Sequence, residues 1–310
     1  MIETPEIAIV RVAFAAGETV VDNGPADAGS AAATGFASRR VAAPGTTLFD
    51  LALEASKNVL SGNGEAPSVR PCGVVAATFS NEMRFPALSV RIASALGLDP
   101  SVPAMDLQAA CSAYPYALYV AGRLAADAGG TVLLVDGDLQ SRLVDSGDAA
   151  TAPLFSDAAT ATLVSARPSS GAKSAFAFLN RASDALSCPP QGPVRMDGFG
   201  VFSFVAAEVA PFLSSFVREA GGTIDAFVPH QANMYMVRRL AKAAGLEGIL
   251  VTCGPEFANP GSCSVPLALA ARGVSGRVLL AGFGAGLSAA ACVVTVAPGA
   301  AGVPEDAQDP

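Results

Sequence analysis

The feature that most constrains this chain is an alternation of short apolar runs, rich in β-branched residues, with longer stretches of helical spacing. The runs lie at Ile7–Phe14, Gly73–Phe79, Thr131–Val135, Thr160–Ser165, Ile224–Val228, Val278–Phe283 and Ala291–Val296. Near-continuous apolarity over four to eight residues is the pattern of a strand buried on both faces. Between the runs, Leu48, Leu51, Ala52, Ala55 and Val59 follow one helical stripe, with Thr47 and Asp50 spaced as a capping box. Further helices are predicted over Ala87–Leu96, Ala113–Ala126, Val205–Glu219, Met234–Ala244 and Val265–Ala271. Such alternation predicts stacked α/β layers. With 310 residues, 51% apolar and 15% charged, the chain has enough hydrophobic side chain for a large core and does not read as disordered.

Composition excludes several chemistries. One histidine, His230, rules out a multi-histidine metal site and any relay needing two imidazoles. A net charge of −8 argues against a broad nucleic-acid surface, leaving room only for a local basic patch. Val278–Ala297 is uncharged and long enough to cross a bilayer as a helix. Gly282, Gly284, Gly286 and Ser288 in its middle fit two buried strands joined by a turn better. Met1–Phe14 carries Glu3, Glu6 and Arg11 and lacks the order of a secretory signal. The six cysteines show no C-x-x-C pair and read as reduced, mostly buried thiols. A soluble cytoplasmic protein without membrane contact is expected. Asp22–Ala33 and Pro298–Pro310 read as a loop and a frayed tail.

The chain also echoes itself. Thr131–Asp138 followed by Ala159–Ser165 resembles Arg277–Gly284 followed by Ala289–Thr295. Each pair follows a helix that starts at a small-residue turn, Ala109–Ser112 or Ala258–Ser262. With two copies only, this is a duplicated half and not a solenoid. The expected division is 1–167 and 168–310.

Four features at these corners carry chemistry. Cys111 follows an expected strand and opens a helix, where unpaired N–H groups favour a thiolate; the alternative is a packed core thiol. His230 follows Asp225–Pro229 and opens another helix, a position where α/β folds place functional groups; a lone histidine on an apolar strand is more often a satisfied structural residue. Asn259 alone reads as a turn residue. Gly282-Phe283-Gly284-Ala285-Gly286 brings backbone close to its surroundings, without dinucleotide-fingerprint spacing.

Taken together and in order, these strings resemble β-ketoacyl-acyl carrier protein synthase III of the thiolase-like superfamily. The resemblance runs from Thr34-Gly35-Phe36 through Phe85-Pro86, Ala109-Ala110-Cys111, Phe155-Ser156-Asp157, Met196-Asp197-Gly198, Pro229-His230-Gln231-Ala232-Asn233 and Asn259 to Gly282–Gly286. It implies a thiolase-like five-layered αβαβα fold from two duplicated halves. It also implies a Cys111–His230–Asn259 triad needing no cofactor or metal. Cys111 would accept an acyl group as a thioester. His230 and Asn259 would then hold a malonyl thioester carbonyl during CO₂ loss. The resulting Claisen condensation gives a β-ketoacyl thioester in fatty acid or polyketide-type biosynthesis. The Cys111 and Ala285 N–H groups would form an oxyanion hole, with alanine where the family usually has glycine. Phe85, Phe202 and Leu287 are the pocket candidates, and Phe85 is also the residue lent across a homodimer interface. Arg238, Arg239 and Lys242 are candidates for binding an acidic acyl carrier protein, the alternative being a solvated helix face.

Departures from the family bear on the donor. There is no tryptophan to stack on coenzyme A, the matching stretch before Thr34 reads Gly29–Ala33, and Asp145–Thr151 lacks the expected arginine. Asn259-Pro260-Gly261-Ser262 replaces the commoner N-T-S. Carrier proteins are therefore the expected donors. Two other functions keep these residues. One is acyl transfer without carbon–carbon bond formation, His230 acting as general base. The other is a non-catalytic partner subunit.

Overall fold

The computed structural model describes residues 1–24, 34–61, 69–167, 170–190 and 192–301. The Gly29–Ala33 stretch, the division point at 168 and the last nine residues of the expected tail lie outside the described residues.

In chain order the strands are β1 (Ile2–Ala16), β2 (Thr19–Asp22), β3 (Ser38–Val41), β4 (Gly73–Ala77), β5 (Ala104–Leu107), β6 (Thr131–Leu139), β7 (Asp157–Arg167), β8 (Lys173–Ser183), β9 (Leu186–Ser187), β10 (Arg195–Met196), β11 (Ala226–Pro229), β12 (Gly276–Gly284) and β13 (Gly286–Val296). The helices are α1 (Leu48–Ser61), α2 (Leu88–Ala95), α3 (Ala113–Ala128), α4 (Gly198–Phe204), α5 (Ala210–Ala220), α6 (Met234–Ala244), α7 (Gly254–Phe257) and α8 (Ser264–Arg272). The capping box forms as expected: Thr47 N–H donates to Asp50 Oδ2 at 2.8 Å, and Asp50 N–H returns to Thr47 Oγ1 at 3.2 Å. Arg11 interrupts an apolar strand because its guanidinium donates to Val59 O at 3.0 Å, at the negative end of α1.

Nine strands form one sheet in the order β11-β12-β13-β8-β1-β7-β6-β4-β5. Outward from its middle, β1-β7-β6-β4 and β8-β13-β12-β11 repeat the same pairings: antiparallel, antiparallel, parallel. The two sets join where Ile2–Pro5 of β1 pairs with Lys173–Phe176 of β8. The composition of β8 hid it from a run-based reading, since Lys173, Asn180, Arg181 and Ser183 break its apolarity.

Strand alternation sorts side chains into layers. Ala13, Val74, Ala76, Leu133, Val135, Ala161 and Leu163 face α1 and α2. Val12, Val75, Ala77, Val132 and Leu134 face the opposite way, with Val228, Val278, Leu280 and Val294 of the second set, onto α3 and α8. Phe227, Leu279, Ala281 and Val293 face α4, α5 and α6. The two strand sets of this sheet thus lie on either side of α3 and α8, giving helix, strand set, helix, strand set, helix: the five layers expected. Uncharged apart from Arg123 and Asp127 of α3 and Arg272 of α8, all in the C-terminal halves, these two helices suit the middle layer. A Cβ on Gly122 of α3 would come within 2.2 Å of Ile7 Cδ1, so this glycine lets α3 lie close on β1.

Val278–Ala297 forms the antiparallel pair β12–β13, not a helix. Gly198–Ala220, in which a π turn at Val205–Val209 joins α4 to α5, has the length and apolarity of a bilayer span. Its Val201, Phe204, Val205, Val209, Leu213 and Phe216 instead cover the outer face of the sheet. This helix starts earlier than its predicted onset at Val205 because Asp197 caps it, accepting from Phe199 and Gly200 N–H. The described end of the expected frayed tail is tied down, with Val12 N–H donating to Ala300 O at 2.7 Å.

Candidate active site

The site lies where strand ends meet the N-terminal turns of the two buried helices. His230 follows β11, and its N–H donates to Ala281 O of β12 at 2.7 Å. Its imidazole is 2% exposed, edge-on to Phe283 with centroids 5.5 Å apart. Nδ1 lies 2.6 Å from Ser264 Oγ, at the start of α8. The Ser264 hydroxyl proton has no other acceptor among the described residues, so it goes to Nδ1, and Nε2 carries the imidazole hydrogen. Burial pushes the His230 pKa down to about 3, leaving the ring a neutral donor at working pH. Gln231 braces this corner, donating to Pro229 O at 2.6 Å and accepting from Cys253 and Gly254 N–H at 3.1 Å.

Asn259 lies between α7 and the Gly261–Cys263 turn that opens α8. Its N–H donates to Leu154 O, and its carbonyl accepts from Ser156 N–H and, at 2.7 Å, from Gln140 Nε2. Oδ1 accepts from Gly261 N–H at 3.0 Å, which makes Nδ2 the outward donor. Among the described residues neither His230 Nε2 nor Asn259 Nδ2 has a protein partner.

Cys111 sits in the Ala110–Ser112 turn opening α3, 6% exposed. The Gly282–Ala285 segment of the second half presses on it. A Cβ on Gly284 would lie 2.8 Å from Cys111 Cβ, and one on Gly282 would lie 2.7 Å from Cys111 O. Phe283, between them, is the residue against His230, so one strand end carries both contacts. The turns opening α3 and α8 pack together, bringing Asn259's end of the site alongside. Ala285 keeps a negative φ, so alanine fits there without strain. The positive-φ alanines are Ala110 (+45°) and Ala258 (+51°), each just before a candidate residue, an unfavourable conformation held by the surrounding packing.

The thiolate expectation for Cys111 is corrected. Burial, then the Asp138 carboxylate, push its pKa up to about 12, and the N–H groups of Ala285 and Cys111 offset this only in part. One helix turn does not outweigh complete desolvation. Asp138, next to last in β6 of the first half, matches Gly284 at the end of β12 in the second. Its carboxylate accepts from Thr78 Oγ1, Phe79 N–H and Ser80 Oγ, and from Ser262 N–H at 2.9 Å, capping the turn that opens α8. Its pKa is raised to about 6, burial outweighing those hydrogen bonds.

Of the pocket candidates, Phe202 and Leu287 belong to one core cluster and Phe85 stands apart from it. Phe85 is 82% exposed, Leu287 is buried in the α4–α6 layer, and Phe202 stacks on Tyr235. Arg238, Arg239 and Lys242 do come together, lining a surface cavity of about 400 Å³ with Gly35, Met234, Tyr235 and Glu247. Arg239 lies over the Phe202 and Tyr235 rings and donates to Tyr235 Oη at 2.7 Å.

Other parts of the resemblance serve as scaffold. Phe36, Phe155, Met234 and Ala258 form a small core behind Asn259, and Asp157 accepts from Ala42 and Ser141 N–H. Sequence reading missed Ser264, Asp138, Ser112 and Ser288. Serines in Gly/Ser-rich turns carry no local signal, and Asp138 was visible only as part of the repeat.

The layered, duplicated architecture is that of the thiolase-like enzymes. Profiles for 3-oxoacyl-[acyl-carrier-protein] synthase III and for the C-terminal part of that enzyme match residues 105–182 and 220–296. The chain is 34% identical over 280 residues to the β-ketoacyl-[acyl-carrier-protein] synthase III of Laribacter hongkongensis, spanning 82% of this chain and 86% of that protein. It is also 34% identical over 296 residues to synthase III 2 of Streptomyces coelicolor, spanning 87% and 88%. Among solved structures, the 3-oxoacyl-(acyl-carrier protein) synthase of Burkholderia xenovorans superposes with a TM-score of 0.87 at 27% identity, over 96% of both chains. The priming β-ketosynthase of a polyketide pathway gives 0.83 at 29% identity, over 95% of this chain and 98% of that one. The chain belongs to the 3-oxoacyl-[acyl-carrier-protein] synthase III family, and it is a condensing enzyme of the acyltransferase class.

Proposed function

We propose that Cys111 takes an acyl group from a thioester and that His230 and Asn259 then drive condensation with a malonyl thioester. In the first step the sulfur–acyl bond forms, the donor's thioester bond breaks, and the Cys111 proton leaves with the departing thiol. The acyl oxygen sits between the Cys111 and Ala285 N–H groups. In the second step the malonyl unit loses CO₂, and its enolate oxygen lies between Nε2–H of His230 and Nδ2–H of Asn259. Its carbon attacks the acyl carbonyl, the carbon–sulfur bond to Cys111 breaks, and the sulfur, released as a thiolate, takes a proton from solvent. Two neutral donors aimed at a developing oxyanion are what this step requires, and no base is needed.

The observation carrying this reading is the Ser264 bond that fixes His230 as an Nε2–H donor, beside an Asn259 whose Oδ1 is already committed. Transfer to an alcohol or amine would instead need His230 as a base, and a ring whose pKa lies near 3 is a weak one. The test is release of labelled CO₂ from malonyl-carrier protein together with a covalent acyl adduct on Cys111. The expected result is an adduct in the wild type and in His230→Ala, with CO₂ release lost in the latter. Release unchanged in His230→Ala overturns the reading.

The same proposal includes carrier protein as the acyl donor, docked on the Arg238, Arg239 and Lys242 face. It includes a cytoplasmic location, and the two halves 1–167 and 168–310, supported by their matching strand orders. It also includes a homodimer formed through β5. Among the described residues that strand is a sheet edge, with Met105 40% exposed, and Asp106 caps α2, placing exposed Phe85 and Val90 beside it. A monomeric mass by light scattering contradicts the dimer.

A further inference from the structure

The turn holding Cys111 and the turn holding Ala285 come from different halves of the chain, and one side-chain hydrogen bond among the described residues crosses between them. Ser112 Oγ lies 2.7 Å from Ser288 Oγ, both residues being buried. Each hydroxyl also reaches a carbonyl of its own turn, Ser112 to Ala109 O and Ser288 to Ala285 O, both at 2.8 Å. Three contacts share two protons, so they cannot all be hydrogen bonds at once. The arrangement that satisfies every group runs from Ser112 O–H to Ser288 Oγ, and from Ser288 O–H to Ala285 O. Ala109 O then keeps the Ser112 N–H, at 3.1 Å. The chain of bonds starts one residue after Cys111 and ends on the carbonyl of Ala285, whose N–H faces the sulfur.

We propose that Ser112 and Ser288 are positioning residues for acyl transfer. Their bridge fixes the separation of the Cys111 and Ala285 N–H groups, the two donors that receive the thioester oxygen. The proposal rests on the oxyanion-hole reading above. It follows from the placement of those donors on turns that only this bridge links by a hydrogen bond between side chains among the described residues, its two serines 176 residues apart in sequence. Small displacements of such donors cost rate because their stabilisation depends on fixed geometry.

The experiment uses the full-length protein and the acetyl thioester of N-acetylcysteamine, which bypasses carrier docking. Acylation of Cys111 is followed by intact mass at several donor concentrations in the wild type, Ser112→Ala, Ser288→Ala, the double variant and Ser288→Thr, with melting temperatures alongside. Each alanine variant is expected to lower the maximal acylation rate by ~10- to 100-fold with half-saturation within about twofold. The double variant is expected to be no worse than either single, because one bridge is lost once. Ser288→Thr, which keeps the hydroxyl, is expected to recover most of the rate. Alanine variants that acylate within twofold of wild type overturn the proposal. Losses that multiply in the double variant, or that follow melting temperature without threonine rescue, also overturn it. A wild type that forms no Cys111 adduct removes the underlying reading, an outcome distinct from variants that acylate normally.

Discussion

Ser264 Oγ sits 2.6 Å from His230 Nδ1, and this single contact decides which face of the imidazole is the donor. Ser264→Ala removes the acceptor preference and lets the ring adopt either tautomer. CO₂ release from malonyl-carrier is expected to fall about tenfold, with Cys111 acylation unchanged. His230→Ala loses the donor itself, and release is expected to fall ~10²- to 10³-fold. Parallel measurement of the two half-reactions checks both, and equal losses in both steps contradict the assignment.

Two of the contributions to the pH dependence of stability, from His230 and Asp138, oppose each other. His230 has its folded pKa depressed to about 3 from an ordinary 6.5. Its contribution is therefore full above 6.5 and lost as pH falls towards 3. Asp138 has its folded pKa raised to about 6 from 3.8, so its contribution is full below 3.8 and lost as pH rises through 6. Between pH 6 and 4 the two slopes cancel. In Asp138→Asn the Asp138 contribution is removed, and urea unfolding should show the stability change from pH 6 to 4 shifted by ~2 kcal/mol towards loss relative to wild type. The constant cost of the lost hydrogen bonds does not affect this difference. Identical slopes would contradict it.

Cys111 rests as a thiol, because burial and Asp138 hold its pKa near 12. Cys188 is exposed. Brief iodoacetamide treatment at pH 7.5 is expected to label Cys188 first, and Cys111 labelling should still rise with pH beyond 9. Peptide mapping reads both, and a Cys111 rate that plateaus below pH 8 would reveal a thiolate.

Gly284 is required by contact. A methyl group there falls 2.8 Å from Cys111 Cβ and 3.2 Å from Sγ. Gly284→Ala is expected to displace the nucleophile and slow acylation ~100-fold, with a stability loss of about 1–3 kcal/mol. Acylation at the wild-type rate would place the sulfur elsewhere.

Charge reversal on the basic face separates docking from chemistry. Arg238→Glu with Lys242→Glu is expected to raise half-saturation for acyl-carrier protein about tenfold, roughly 1.4 kcal/mol, and to leave the N-acetylcysteamine thioester unaffected. Steady-state measurement at two salt concentrations checks it, since the effect should shrink as salt rises. Equal effects on both donors would remove this face from carrier binding.

The legible parts of the molecule were those written in local pattern. The stripe of Leu48, Leu51, Ala55 and Val59 fixed α1, and α6 begins and ends where its periodicity does. The P-H-Q-A-N and A-A-C strings marked His230 and Cys111 as candidates that the fold then brought to one strand end. Phe85, Phe202 and Leu287 could not be assigned a layer from sequence, because an apolar side chain announces burial without saying where. Leu287 and Phe202 both pack in the layer of outer helices, Phe202 also meeting Tyr235 and Arg239, while Phe85 lies exposed. The expected thiolate failed for a related reason: the helix end is local, whereas the desolvation that outweighs it comes from the whole middle layer.

By itself the sequence determined the duplicated α/β architecture and the kinds of group available for chemistry, with a single imidazole among them. Hydrophobic period and motif order are properties of neighbouring residues. Only the tertiary structure decided that β8 joins the halves, that Ser264 sets the His230 tautomer, and that Asp138 caps the helix after Asn259. It also decided that Ser112 meets Ser288. Protonation states and donor directions depend on burial and on partners tens to hundreds of residues away, and those exist only once the two halves have closed on each other.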